Sequence, residues 1–183
     1  MILPIIAYGA AILRQRCDAL PADYPSDPVI TRLVADMKET MTNANGAGLA
    51  APQVNVNARL FIIDARQTSE SLPALIVFFN PIILSRSAAT LSDEEGCLSI
   101  PGLTVEIKRA EKVTVSWSDE SGRPCTNTFE GRMARAIQHE YDHLEGRLYL
   151  DYLIPFHKKF IHTRLERIRQ GKVQAPYLLK HIR

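Results

Sequence analysis

The chain has 183 residues, 46% of them apolar and 23% charged, with a formal net charge of +2. That length supports one domain with a core of its own, the composition excludes disorder and a whole-chain coiled coil, and a balance so near neutral gives no reason to expect DNA as a partner. Cys17, Cys97 and Cys125 are odd in number and widely spaced, which argues against a disulfide framework and for a reducing cytoplasm. The apolar first residues follow no basic residue and are interrupted by Pro4, so they do not read as a signal peptide. No later run is long enough for a membrane span.

In chain order, the stretch Ala22 to Pro28 reads as a loop that ends in a helix start, with Asp27 as N-cap and Pro28 at the first helical position. Val29, Ile30, Leu33, Val34, Met37 and Met41 then fall on one helical face, and Asn45-Gly46-Ala47-Gly48 stops the helix. Strand-like runs follow at 60–64, 75–79, 112–117 and 126–129, the last two separated by a turn at 119–124. Met133, Ile137, Tyr141 and Leu144 form a second helical stripe closed by Gly146. A third helix is expected from about Phe156 to Arg169, with Phe160, Ile161, Leu165 and Ile168 inward. Helix, strands, helix, helix predicts an α+β fold with antiparallel pairing rather than an alternating parallel sheet.

The second helix carries His139-Glu140-Tyr141-Asp142-His143, an H-E-x-x-H pattern. Positions four apart lie one above the other on a helix, so both imidazoles can reach one metal ion. Glu140 points about 100° away and can meet a water near that ion as a general base. A polar face with two ordinary histidines is the plainer alternative, weakened because the motif interrupts an apolar stripe.

A hydrolytic site of this kind needs a third protein ligand. Downstream, His157, His162 and His181 are candidates without a recognisable motif; upstream, Asp93-Glu94-Glu95-Gly96-Cys97-Leu98-Ser99 offers a thiol. Taken alone, Cys97 reads more readily as a buried structural residue. The segment Gly46-Ala47-Gly48-Leu49-Ala50-Ala51-Pro52-Gln53 lets backbone approach a ligand closely but lacks the ending of a phosphate loop.

Read together, Gly46-x-Gly48-Leu49-Ala50-Ala51-Pro52-Gln53, Glu95-Gly96-Cys97-Leu98-Ser99 and His139-Glu140-x-x-His143 resemble the three ordered motifs of the peptide deformylase family. The resemblance implies antiparallel sheets packed around the motif helix, followed by a C-terminal helix. Residues 1–183 would form one catalytic domain with a basic helical extension at about 156–183. Cys97, His139 and His143 would hold one divalent ion, Fe2+ in the cell, with Zn2+, Ni2+ or Co2+ able to replace it. The implied reaction is hydrolysis of a linear amide, removing formate from the formyl-methionine of nascent peptides. Water on the metal would attack the formyl carbon, with Glu140 as acid and base and with Gln53 and the Leu98 N–H stabilising the oxyanion. Gly46, Ala47, Gly48, Gly96 and Arg135 would border the peptide, bound in an extended form.

Two features depart from the commoner pattern. Arg132 and Arg135 stand where many bacterial relatives have apolar residues. Arg135 shares the face of His139 and is expected to pair with a carboxylate; bordering the peptide groove is the alternative. From His157 onward eight basic residues, Arg183 among them, face one acid, Glu166. That excess fits a solvated helix face or, in some relatives, a ribosome-docking helix. Two other classes compete: a peptidase sharing only H-E-x-x-H, and a non-catalytic protein stabilised by metal.

Overall fold

The computed structural model describes residues 1–67 and 74–182. Helix α1 (Pro28–Asn43) starts as its sequence dictates, with the Asp27 carboxylate accepting a hydrogen bond from the Val29 N–H at 2.8 Å. The chain then forms β2 (Gly48–Ala50), β3 (Leu60–Asp64), β4 (Leu75–Arg86), β7 (Lys112–Ser118) and β8 (Pro124–Glu130), a five-stranded antiparallel sheet in the order β2-β3-β4-β7-β8. Strands β5 (Thr90–Cys97) and β6 (Ile100–Ala110) make a separate antiparallel hairpin. Helix α2 (Gly131–Leu144) follows β8 directly, and α3 (Pro155–Arg169) comes after it. Strand β1 (Ile5–Ile6) pairs in parallel with β9 (Leu179–Lys180). The architecture is α+β, as the order of elements predicts.

The period-two rule places the sheet between two cores. On β3, Phe61 and Ile63 face α2 and join Phe78, Val115, Phe129, Met133, Ala134 and Ile137, all buried. Leu60 and Ile62 point the other way, into a second cluster with Val34, Met37 and Met41 of α1. Phe78 is the hinge of the first cluster, stacked on Phe61 with centroids 4.7 Å apart and meeting Trp117 at 4.9 Å. Cutting so enclosed a ring back to alanine typically costs about 3–5 kcal/mol. Helix α2 therefore lies fixed along the sheet by its stripe Met133, Ile137 and Leu144. Gly146, at φ 67°, reverses the chain after it and would bring any side chain against the Arg14 carbonyl.

Four expectations need correction. Val29 is 70% exposed, because at 100° per residue it falls at the edge of the stripe that Val34, Met37 and Met41 bury. Phe160 is 72% exposed: only Ile161, Leu165 and Ile168 of α3 turn inward, and Phe160 lies one residue off that stripe. Strand β4 does not end at Phe79. It continues to Arg86 through an irregular register after Asn80, whose φ is 47° and whose side chain binds both polar groups of the Leu20 backbone. Antiparallel pairing is not universal, since one short parallel pair, β1–β9, joins the fold; the β5–β6 hairpin adds strands beyond those expected.

Candidate active site

Helix α2 presents His139 and His143 on one face, as their four-residue spacing requires, with ring centroids 5.2 Å apart. Cys97 is the last residue of β5, where Leu98 and Ser99 turn the chain into β6. That turn brings the sulfur to 3.3 Å from His143 Nε2, and the donor atoms of Cys97, His139 and His143 all lie within 4.8 Å of one another. His157 and His162, the downstream candidates, sit exposed on α3, and His181 lies near Gly171. Among the described residues, the cluster able to hold an ion is thus the one that includes the cysteine.

A second layer orients these donors. The Glu95 carboxylate accepts from His139 Nδ1 at 3.0 Å, which leaves the other ring nitrogen to face the cluster. Arg109 donates two hydrogen bonds to Glu95, both 2.9 Å, and another to Asp142. Arg135 also donates to Glu95, at 2.7 Å. Burial alone would raise the Glu95 carboxyl, but Arg109 and then His139 outweigh it and hold it down at about 2. Burial, with the charges of His139 and Arg109, holds His143 well below the ordinary imidazole range, and neutral imidazole is the form that ligates. His139 shifts the other way: burial opposes its charge, but the neighbouring Cys97 and the hydrogen bond to Glu95 raise it well above the usual value.

Glu140 is 5% exposed, and its Oε2 has no hydrogen-bond partner. Burial, reinforced by the negative charges of Glu95 and Asp142 and opposed by His139, pushes its carboxyl up to about 7. A carboxylate poised near neutrality can both take and return a proton. Gln53 follows β2 in a tight helical turn. Its side-chain oxygen accepts from the Ala50 N–H at 2.9 Å, while its amide nitrogen reaches Ser99 Oγ at 3.2 Å and Cys97 Sγ at 3.5 Å.

These groups line a cleft of about 490 Å³. One wall is Gly46, Ala47 and Gly48, at the outer strand of the sheet; the opposite wall runs from Gly96 and Leu98 to Thr104. Gly48 has a steric reason: a Cβ there would lie 2.8 Å from both Cγ and Cδ of Glu140. Arg135 borders the cleft, yet its guanidinium is engaged by Glu95 and by the carbonyls of Ile107 and Leu91, which is the expected pairing with a carboxylate. The sequence reading missed the roles of Glu95, Arg109, Asp142 and Ser99, and it missed Tyr177 altogether. Glu95 and Asp142 lie inside the motifs quoted above, two residues and one residue before a ligand; nothing in the pattern around Arg109 or Tyr177 marks them.

Tyr177 reaches this wall from near the C-terminus. Its hydroxyl donates to the Leu98 carbonyl at 2.8 Å. Burial, with the nearby charge of Cys97, pushes its phenol up to about 12, so it stays a donor at neutral pH.

Three convergent donors beside a buried carboxylate, in a cleft of an α+β fold, have the form of a hydrolytic metal site. Residues 2–159 match the family model described as polypeptide deformylase, and the chain belongs to that family. It is 40% identical over 191 residues to a peptide deformylase of Flavobacterium psychrophilum, a comparison covering 98% of this chain and 97% of the relative. The crystal structure of a peptide deformylase from Legionella pneumophila is similar with a TM-score of 0.84 at 36% identity, covering 96% of this chain and all of that one. A class I type b peptide deformylase from Acinetobacter baumannii, crystallised with Met-Ala-Ser bound, is similar with a TM-score of 0.78 at 33% identity, over 84% of this chain and 99% of that one.

Proposed function

We propose that the enzyme removes the formyl group from the N-terminal formyl-methionine of newly made polypeptides and releases formate. The observation that carries this reading is the buried, partly unpartnered carboxylate of Glu140 beside three convergent donors, Cys97, His139 and His143. The donor set fits a divalent ion: one soft thiolate and two imidazoles, one of them already fixed by Glu95. Fe2+ would occupy it in the cell, and Zn2+, Ni2+ or Co2+ suit the same donors. When bound, such an ion supplies Lewis acidity and makes water acidic enough to lose a proton near neutral pH.

Glu140 takes the proton from the attacking water and delivers it to the departing amine. The charge that builds on the formyl oxygen is met by the Leu98 N–H and the Gln53 amide, the latter anchored by Ala50 and Ser99. The peptide lies extended along Gly46, Ala47 and Gly48, facing Gly96, so main-chain contacts bind it whatever residues follow the methionine. The Met-Ala-Ser held by the related Acinetobacter enzyme supports a methionine-first substrate. Residues 1–183 act as one catalytic domain in the cytoplasm. No described helix is long and apolar enough to cross a membrane. The exposed basic residues of α3, among them Lys158, Lys159 and Arg167, give the C-terminal segment the charge for contact with the ribosome.

One assay tests the proposal: anaerobically purified protein, its metal content measured, and formate release followed from a formyl-Met peptide. Wild-type protein should release formate, Glu140→Ala should bind metal without turnover, and Cys97→Ala should lose the metal. Cleavage of internal peptide bonds, or full activity in Glu140→Ala, would overturn it.

A further inference from the structure

Residues 98–103, the wall of the cleft opposite Gly48, are held by their carbonyl oxygens, and each anchor comes from a distant part of the chain. The Ser99 carbonyl accepts from the Tyr8 N–H at 2.8 Å, Pro101 from Arg164 of α3 at 3.2 Å, and Leu103 from the Tyr149 hydroxyl at 2.8 Å. The Leu98 carbonyl accepts from Tyr177. Leu98 is gripped on its side chain as well, since a Cβ on Gly46 would lie 2.8 Å from its Cδ1.

Tyr177 is itself tethered on its C-terminal side. The Ile5 N–H donates to the Leu178 carbonyl at 2.8 Å and the Ala7 N–H to the Lys180 carbonyl at 2.9 Å, while Leu179 pairs with Ile5. Its ring packs into the cluster that contains Leu49 and Met41, beside Leu98. This strap lies beyond residue 159, where the family match ends, yet it supplies a side chain to the cleft.

We infer that Tyr177 is a positioning residue for catalysis, fixing the Leu98 peptide so that its N–H stays aimed at the oxyanion. The inference rests on the deformylase reading and on the role given there to Leu98. Leu98 occupies a two-residue turn. Its N–H belongs to the peptide before its Cα and its carbonyl to the peptide after, so their relative direction depends on two torsions. Holding the carbonyl and the side chain leaves the N–H one orientation. An oxyanion donor works by being oriented before charge develops, so a donor that must reorient loses part of its effect. Without the phenol, water can satisfy the Leu98 carbonyl and the fold persists, but the turn gains freedom.

The test compares wild type, Tyr177→Phe and Tyr177→Ala in formate release from a formyl-Met peptide, with metal content and thermal midpoint measured for each. Deleting an oxyanion donor costs about 10²–10³-fold in kcat, so loosening one is expected to cost about tenfold. Tyr177→Phe should therefore lose about tenfold in kcat, with KM changed less than about twofold, metal content unchanged and the Leu98 amide exchanging its hydrogen faster. A Tyr177→Phe enzyme with wild-type kcat overturns the inference, including the case where only Tyr177→Ala is impaired, which would make the ring a mere wall. A raised KM at constant kcat also overturns it, by making the hydroxyl a substrate contact. So does a fall in kcat that only follows lost metal or lost folded protein. If wild type itself releases no formate, the functional reading fails instead, and the two failures are distinct.

Discussion

Substituting Gly48 by alanine asks whether the placement of Glu140 is set by strand β2. Gly48 carries no positive φ, so alanine fits its backbone, and a compatible glycine-to-alanine change favours folding by about 0.4–1 kcal/mol. The new methyl would lie 2.8 Å from Cγ and Cδ of Glu140, whereas ordinary contact begins at 3.4 Å. The carboxylate must therefore retreat by the difference, 0.6 Å or more, or the side chain must leave its rotamer at about 0.5–1.5 kcal/mol. The two stability effects nearly cancel. The catalytic effect does not, because a misplacement of about 1 Å can cost on the order of 10²-fold in rate. Gly48→Ala should keep its thermal midpoint within a few degrees and its full metal content, while kcat for formate release falls about 10- to 100-fold and KM changes little. The Cβ points at the Glu140 side chain on α2, so a raised KM with wild-type kcat would refute the reasoning. A loss of kcat matched by loss of metal would refute it as well.

Two further predictions follow from the charges around Glu95. Its carboxyl is held at about 2 against 4.5 for a free glutamate, so the unfolded chain binds this proton first and folding is favoured above pH 4.5. That stabilisation, on the order of 3 kcal/mol from the size of the shift, is lost as pH falls from 4.5 toward 2. In urea unfolding of metal-free protein, wild type should exceed Glu95→Gln at pH 5 and the gap should close on acidification; a gap independent of pH would defeat the argument. Arg135→Leu removes donors from Glu95 and from the Ile107 and Leu91 carbonyls and should destabilise by about 1–3 kcal/mol. Its relative rates on peptides with acidic and neutral residues after methionine should match wild type, and a changed ranking would place Arg135 in the peptide groove.

What the sequence revealed follows the range of the interactions concerned. The start of α1, the stripe of α2 and the stop at Gly146 depend on residues within two turns, and each was readable. The pairing of His139 with His143 was readable for the same reason. Strand β4 beyond Phe79 was not, because Asn80 and Pro81 break the local pattern and the bend is held from afar, by the Leu20 backbone 60 residues away and by Arg59. The β5–β6 hairpin escaped because most of β5 is exposed and its residues do not alternate between apolar and polar. Phe160 was misplaced because an apolar residue one step off a stripe looks like part of it; periodicity gives a face only to within about 100°. Tyr177 left no signal, since its hydrogen bond spans 79 residues and involves a backbone carbonyl, which no side-chain pattern encodes.

The least legible group of all, Arg109, accounts for the geometry of the donor set. Cys97 and the two histidines belong to different elements, and nothing in their own chemistry fixes the distance between a strand end and a helix face. Glu95 lies two residues before Cys97 on β5, and Asp142 lies one residue before His143 on α2. One buried guanidinium, that of Arg109 on β6, binds both carboxylates. The tie therefore sets how β5 and α2 sit together, and with it the separation of sulfur and imidazoles, before any ion is present. Its cost is the desolvation of three charges, which is offset only while all three are paired; removing one partner of such a group typically costs about 3–5 kcal/mol. The same tie treats the two histidines unequally. His139 is held through Nδ1 by Glu95, whereas His143 Nδ1 has no hydrogen-bond partner among the described residues. His143 is instead placed by close packing, by its position on the helix and by the contact of its Nε2 with the Cys97 sulfur.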